Sequence, residues 1–308
     1  MPSPAADSQN TGSPPEALRQ FLKRVLREHA AAREGLAADP VHDLRVALRR
    51  SRSLAEGFAT LDHHRDWRRL RQAAKNLQGG LAALRDAQVL AGWVRQMRFC
   101  GGPAGAAVAA ALGKDARKAK SQAQRALQEF PRKRWKRWRR RLAKRAQQLP
   151  AGPASFAHLA LERAREAVAR ERRWRHSESQ IAAHSLRIAV KHFRYTVQSF
   201  LPQQYAASQQ DLRRMQDALG EMHDLDVLRA WLLQVAKKEK LDHQTLHAWL
   251  QRIAEAREER VRRYRKIVSQ EGKRAGRGKH APLLWARWRR EIEGLAKVSS
   301  PPRARASA

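Results

Sequence analysis

The chain has 308 residues, with 64 lysines and arginines against 29 aspartates and glutamates, which gives a formal charge of +35. Hydrophobic residues make up 42% of it, enough to bury a core, which excludes a wholly disordered chain. A surface this positive attracts polyanions, and the candidates are nucleic acid, inorganic polyphosphate, anionic membranes and acidic proteins. The single cysteine, Cys100, excludes an internal disulfide bond and suits a reducing compartment.

Both ends of the chain differ in composition from the middle. Residues 1–15 are rich in Pro, Ser and Ala and are predicted to form a disordered tail, as are residues 298–308. The first tail lacks the basic and apolar regions of a secretory signal peptide. The longest apolar tract, AGAAVAAALG, is too short to span a bilayer. We therefore expect a cytoplasmic protein without a membrane span.

Good helix formers dominate between the tails, and alternating runs of Val, Ile, Thr and aromatic residues are absent. The sequence therefore predicts an all-α fold. Four amphipathic stretches in each half of the chain are typical of two four-helix bundles. In chain order the stretches lie near residues 16–34, 40–61, 65–98, 104–149, 154–173, 177–201, 207–238 and 243–296, the last interrupted around GKRAGRGKHAP.

Three blocks of sequence occur twice, in the same order. VHDLRVALRRSR, residues 41–52, matches AHSLRIAVKHFR, residues 183–194. LQGGLAALRDAQVLAGW matches MQDALGEMHDLDVLRAW further along, and WKRWRRRL matches WARWRREI. The offsets of 142, 138 and 150 residues are nearly equal. Collinear repeats of this kind predict two homologous tandem halves, residues 16–150 and 153–297.

The first repeated block places its cations on one face of a helix. At about 100° per residue they fall within an arc of about 80°, and apolar residues occupy a different arc. Such charges are often simply solvated, but their retention in both copies favours binding, and a line of cations suits a ligand that is a line of anions. This cationic stripe consists of His42, Arg45, Arg49 and Arg52 in the first copy and His184, Arg187, Lys191 and Arg194 in the second.

The two histidines of the stripe have two interpretations. His42 lies near the start of its helix, where an imidazole often makes a structural hydrogen bond. Alternatively, His42 and His184 donate hydrogen bonds to a bound anion, whose field partly protonates them.

The doubled motif H-x-x-R-[VI]-A-[LV]-[RK]-x-x-R, each copy followed by a Gln-containing helix and [RH]-D-x-x-V-L, resembles the CHAD family. The family name refers to a histidine-containing α-helical domain. The resemblance implies two four-helix bundles related by pseudo-two-fold symmetry around a basic groove that binds inorganic polyphosphate. It also implies association with polyphosphate granules. The CYTH triphosphatase domain of some members is not expected here, because EIEGL has Leu295 where its E-x-E-x-K signature has lysine.

The resemblance carries a polyphosphate-binding role onto the eight residues of the cationic stripe. It extends this role to Lys75 and Arg213, each one turn before the repeated glutamine, Gln78 or Gln216. It implies no cofactor. Granule-associated proteins would be further partners.

The segment RKRWKRWRRRLAKR, residues 132–145, supports a different function. It has ten basic residues and no acidic one, and its tryptophans could stack on nucleic-acid bases. Their helical spacing, repeated at Trp285 and Trp288, fits packing into the bundles instead. The electrostatic attraction does not distinguish polyanions, so nonspecific DNA or RNA binding is the alternative function.

No sequence motif indicates catalysis. There is no P-loop and no G-x-S-x-G, and the acidic and histidine residues of EMHDLD reduce to Asp86 alone in the other copy, so no metal site is expected. Asp86 and Asp224 are expected to cap a break in a helix or to orient an arginine of the stripe. We expect a protein that is not an enzyme, and a polyphosphate- or triphosphate-processing enzyme is the weaker alternative.

Overall fold

The computed structural model describes residues 13–99, 101–150, 152–270 and 283–298. These residues are helical and contain no strand, which confirms the all-α class. None of the described helices has the length and apolar character needed to cross a membrane. The helices are α1 (Pro14–Gly35), α2 (Ala38–Leu61), α3 (Arg65–Gly80), α4 (Ala82–Gln96), α5 (Gly102–Gln128), α6 (Arg132–Gln147), α7 (Pro153–Ser177), α8 (Gln180–Phe200), α9 (Pro202–Ala206), α10 (Gln209–Glu239), α11 (His243–Gln270) and α12 (Leu283–Val298).

The predicted tails lie mostly outside the described residues. Residues 1–12 and 299–308 belong to that part of the chain. The inner ends of both tails are helical, because α1 begins at Pro14 and α12 ends at Val298.

The predicted stretch 65–98 is two helices, because α3 ends at Gly80 and α4 begins at Ala82. A Cβ atom built on Gly80 would lie 2.4 Å from the Cβ of Ala126, so α3 and α5 approach closely only because this residue is glycine. The second copy has no such break, and α10 runs continuously through the corresponding region.

The expectation that Asp86 and Asp224 cap a break in a helix is wrong. Asp86 lies more than one turn inside α4, and Asp224 lies in the middle of α10, so neither residue faces the free backbone N–H groups of a helix start.

Two hydrophobic cores follow the two repeated halves. The first joins α1, α2, α3, α6 and the end of α5 and also takes in Leu84 of α4 and, from the second half, Phe156 and Phe200. The second joins α7, α8, α12, the start of α10 and the end of α11. Corresponding helices pack together, since α1 lies on α2 and α6, and α7 lies on α8 and α12. The repeated tryptophans are buried, which confirms the packing interpretation: they are Trp135, Trp138, Trp285 and Trp288.

A third core takes helices from both halves. It joins α4 and the start of α5 to the end of α10 and the start of α11. Phe99, which follows α4, stacks on Trp249 of α11 with ring centroids 4.8 Å apart. The two halves therefore share buried surface, and their division into separate bundles stays a prediction.

The two helices that carry the cationic stripe, α2 and α8, pack against each other. Gly57 of α2 meets the ring of Phe200 of α8, and a Cβ atom at this glycine would lie 2.3 Å from the ring. Phe200 also stacks on Phe156 of α7, with ring centroids 3.9 Å apart. This contact places the stripe of one half beside the stripe of the other.

Candidate functional site

A cavity of about 450 Å³ lies between α2 and α8, and residues of α3, α4, α7 and α10 complete its wall. We call it the central cavity. Seven of the ten predicted site residues line it, and they come from both copies of the repeated helix. They are His42, Arg45, Arg49, Arg52, His184, Arg187 and Lys191.

Positive charge exceeds negative charge in the central cavity, which has seven arginines and lysines against three carboxylates. One carboxylate, Glu56, already pairs with Arg163 of α7 at 2.6 Å and with Arg71 of α3 at 3.8 Å. The other two are Asp86 and Asp224. The cavity therefore has cations that its own carboxylates do not neutralise.

The arginines of the first stripe donate to neutral acceptors. Arg45 Nη1 donates to the backbone oxygen of Gln78 at 2.7 Å, and Arg52 Nη1 donates to Gln78 Oε1 at 3.0 Å. Arg49 Nε donates to the hydroxyl of Tyr195 at 3.2 Å. Among the described residues, no carboxylate oxygen lies within 4.0 Å of these three guanidinium groups. Neutral partners orient the groups and leave their charge available.

The second stripe faces the first with charges of its own. Arg187 Nε is buried and has no hydrogen-bond partner within the described part of the chain. A buried donor without an acceptor is unfavourable, and an anion in the cavity would supply one. Burial, together with the nearby charges of Arg187 and Arg49, lowers the pKa of Lys191 to about 7. Lys191 is therefore only partly protonated at neutral pH.

Histidines of the central cavity have lowered pKa values in both halves. Burial and Arg85 lower the pKa of His42 to about 4, and burial and Arg187 lower that of His223 to about 4. His223 occupies the position of Arg85 in the second copy, and its Nδ1 lies 3.3 Å from His184 Nδ1. The ring of His42 makes no hydrogen bond to any described residue, so the interpretation as a structural histidine finds no partner for it.

Three predicted residues do not line the central cavity. Lys75 is exposed on α3, and Arg213 is half-buried on α10. Arg194 is buried, with Nη1 donating to Gln216 Oε1 at 2.7 Å and Nε donating to the hydroxyl of Tyr205 at 3.4 Å. Arg52 and Gln78 form the equivalent arginine–glutamine pair in the first half. The pair joins α2 to α3 in the first half and α8 to α10 in the second. The packing of α8 on α10 thus accounts for Arg194.

Tyr195 and Arg163 are among the residues of the cavity wall that were missing from the sequence prediction. Tyr195 follows Lys191 by four residues, a spacing that puts both on one face of α8, so a signal was present. Burial opposes ionisation of Tyr195, but Arg49 and Lys191 together outweigh it and hold its pKa at about 7. Arg163 lies in α7, outside the repeated blocks, and only the fold brings it to the cavity.

The fold and the site together define an all-α protein with a basic cavity between two copies of one helix. The family model for the CHAD domain matches residues 16–233, which is more than half of the chain, and the chain therefore belongs to the CHAD domain family. The match ends within α10, so α11 and α12 lie beyond it.

Solved structures support the same fold. The crystal structure of the CHAD domain from the plant Ricinus communis is 21% identical, with a TM-score of 0.62, over 87% of this chain and 92% of that chain. PptA from Streptomyces chartreusis is 18% identical, with a TM-score of 0.60, over 82% of this chain and 97% of that chain. A comparison with curated proteins gives no match.

Proposed function

We propose that the protein binds inorganic polyphosphate in the central cavity and catalyses no reaction on it. The observation that carries the proposal is that arginine and lysine side chains converge from α2 and α8 and, with others of the wall, outnumber the carboxylates of the cavity. Membership of the CHAD family supports it, since the family is related to polyphosphate.

Binding would use both stripes at once. A phosphate chain between α2 and α8 meets Arg45 and Arg49 on one side and Arg187 and Lys191 on the other. Guanidinium groups can donate two parallel hydrogen bonds to phosphate oxygens, and each neutralised phosphate releases counterions from the polymer. The negative field of the chain would also protonate Lys191 and raise the pKa values of the histidines.

The site favours inorganic polyphosphate over nucleic acid. Single-stranded nucleic acid gains much of its affinity by stacking bases on exposed aromatic side chains. The tyrosine of the central cavity, Tyr195, is buried and accepts a hydrogen bond from Arg49. Trp135 and Trp138 in the basic segment 132–145 are buried as well. A cavity of about 450 Å³ suits a narrow chain without bases.

Binding of short polyphosphate to a cavity variant tests the proposal. Replacing Arg45, Arg49, Arg187 and Lys191 with Gln removes four contacts worth on the order of 1 kcal/mol each, so Kd should rise roughly 10²–10³-fold. The matched control removes four exposed cations that line neither the central cavity nor the other large groove: Arg172, Arg173, Arg262 and Lys266. Equal losses in the two variants would contradict a defined site.

Competition distinguishes polyphosphate from nucleic acid. The protein is bound to immobilised polyphosphate, and DNA, RNA and short phosphates are added across a salt series. We expect polyphosphate to compete best at equal charge. Equal competition by DNA would favour the nonspecific nucleic-acid function instead.

The proposal extends to residence at polyphosphate granules, which the resemblance of the doubled motif to the CHAD family implies. A fluorescent fusion should overlap stained granules, and the cavity variant should not. Incubation with polyphosphate or triphosphate and a divalent metal should release no phosphate. Steady release that is abolished by Asp224→Asn would establish an enzyme instead.

A further inference from the structure

A second basic depression lies on the outside of the molecule, between α3 and α6. Its volume is about 770 Å³, and none of its residues lines the central cavity. We call it the outer groove. The cations that matter for its function are Arg65 and Arg69 of α3 with Arg134, Arg137, Arg141 and Lys144 of α6.

Most of the positive charge in the outer groove has no carboxylate partner. Asp66 is its one acidic residue, and it lies 3.5 Å from Arg69. Helix α6 contributes five exposed cations, of which Arg145 pairs with Asp62, and the other four have no carboxylate within 4.0 Å among the described residues. They recur at intervals of three and four residues, which aligns them on one face over about 15 Å. They are Arg134, Arg137, Arg141 and Lys144.

The duplicated counterpart of α6 shows that packing does not require this charge. Helix α12 keeps the two buried tryptophans of α6. It also has Glu291 and Glu293, and Arg289 pairs with Glu293 at 3.0 Å. Helix α6 has ten basic residues and no acidic residue. The same bundle position thus tolerates mixed charge, and the uniform charge of α6 needs a cause other than the fold.

Exposed cations on α3 connect the outer groove with the central cavity. Gln78, at the end of α3, bonds to Arg45 and Arg52 in the central cavity. At about 100° per residue, three exposed cations fill the arc of α3 between Gln78 and Gln72, which lines the outer groove. They are Arg68, Arg71 and Lys75.

The cavity-facing end of this connection is fixed by a contact. Arg71 Nη2 lies 3.8 Å from Glu56 Oε1, and Glu56 lines the central cavity. Lys75, a predicted site residue that the central cavity does not include, lies one turn further along α3. A phosphate chain that leaves the central cavity over α3 would therefore meet cations throughout.

We propose that the outer groove is a second phosphate-chain site, and that one long polyphosphate runs from the central cavity across α3 into it. This inference rests on the proposed function. Short chains occupy the central cavity alone, and long chains occupy both sites, so the second contact is intramolecular and raises the affinity for long chains. Inorganic polyphosphate fits better than nucleic acid, because the tryptophan that lines the groove, Trp138, is buried and offers no face for base stacking.

The test compares short and long polyphosphate on a groove variant. Arg134, Arg137, Arg141 and Lys144 are changed to Gln, which is a good helix former, so α6 should persist by circular dichroism. We expect Kd for the short chain to stay within twofold of the unmodified protein and Kd for the long chain to rise at least about tenfold. The slope of log K against log salt for the long chain should fall by about 3. The control is the variant of Arg172, Arg173, Arg262 and Lys266, which should show neither effect.

A second variant tests the connection over α3. Replacing Arg68, Arg71 and Lys75 with Gln should raise Kd for the long chain by a larger factor than Kd for the short chain. If this variant lost short-chain and long-chain binding equally, the cations of α3 would act only through a diffuse electrostatic field. That result would overturn the second site.

Two further outcomes would also overturn the inference. One is long-chain binding by the groove variant within twofold of the unmodified protein. The other is a loss of duplex DNA binding in the groove variant while polyphosphate binding is unchanged, which would assign the groove to nucleic acid. If the unmodified protein binds neither short nor long polyphosphate, the proposed function itself fails, and that result is distinct because it appears before any variant is made.

Discussion

Lys191 is the residue whose chemistry depends most on whether the central cavity is filled. Its amine is half-buried beside Arg187, and its pKa is lowered to about 7. The repeated sequence block identified this lysine as a binding residue, because the same position is Arg49 in the first half. The block did not identify Tyr195, whose counterpart is Ser53. A repeat reveals what both copies keep, and it does not by itself reveal a residue that only one copy has.

The lowered pKa of Lys191 predicts that polyphosphate binding depends on pH. A bound polyanion raises this pKa, so binding takes up a proton whenever the free lysine is neutral. The affinity for polyphosphate should be highest below about pH 7 and should fall as the pH rises above 7. The fall should end once the pH exceeds the pKa that Lys191 has in the complex. Titrations with short polyphosphate between about pH 6 and pH 9 measure this change.

Lys191→Arg is the matched variant for the pH dependence. Arginine keeps its charge throughout this range, so the part of the decline that Lys191 causes should disappear, and only the part from ionisation of Tyr195, whose pKa is also about 7, should remain. An unchanged decline in this variant would show that a different group titrates.

The same lysine should destabilise the empty protein. Its pKa is lower when folded than when unfolded, so its unfavourable contribution is complete below about pH 7 and fades as the pH rises toward the unfolded value. Lys191→Met should therefore raise Tm by about 2–4 °C near pH 6 without ligand. The stabilisation that polyphosphate adds should decrease in this variant. A lower Tm without ligand would indicate that the lysine has a structural role.

At the scale of elements, the contact between α2 and α8 determines the distance between the two stripes. Gly57 and Phe200 form this contact, and neither belongs to a stripe. Gly57→Ala should reduce the free energy of unfolding by about 1–3 kcal/mol, because the added Cβ overlaps the Phe200 ring. Denaturant unfolding measures the change.

Gly92 of α4 is the control for this substitution. Nothing lies within 4 Å of a Cβ atom built there, so Gly92→Ala should stabilise the protein by up to about 1 kcal/mol through helix propensity. If both alanine variants stabilise the protein equally, α2 and α8 do not approach as closely as the structure shows.

The sequence predicted the helices better than their junctions. Periodicity located both stripe helices, because α2 and α8 are each one continuous amphipathic helix. It did not show that α3 ends at Gly80 while α10 continues, nor that Ala126 of α5 comes so close to Gly80. It also did not show that Arg163 reaches Glu56, a contact between residues 107 positions apart. Features that require two distant elements to meet are not encoded in local spacing.

At the scale of the whole molecule, the positive charge behind the formal value of +35 is unevenly distributed. Part of it converges on the central cavity, where two sequence-distant helices share one site. Another part forms the outer groove along α6. The third hydrophobic core, which joins α4 and α10, holds the cavity walls of the two halves together. A polyanion bound in the central cavity therefore contacts both halves and should stabilise them as one unit.

A crystal structure of the protein with a short polyphosphate tests the central claim most directly. We predict one phosphate chain between α2 and α8, with phosphate oxygens within hydrogen-bond distance of Arg49 from the first copy and of Arg187 or Lys191 from the second. A short chain bound to one helix alone, or bound elsewhere while the central cavity contains only solvent, would contradict the account.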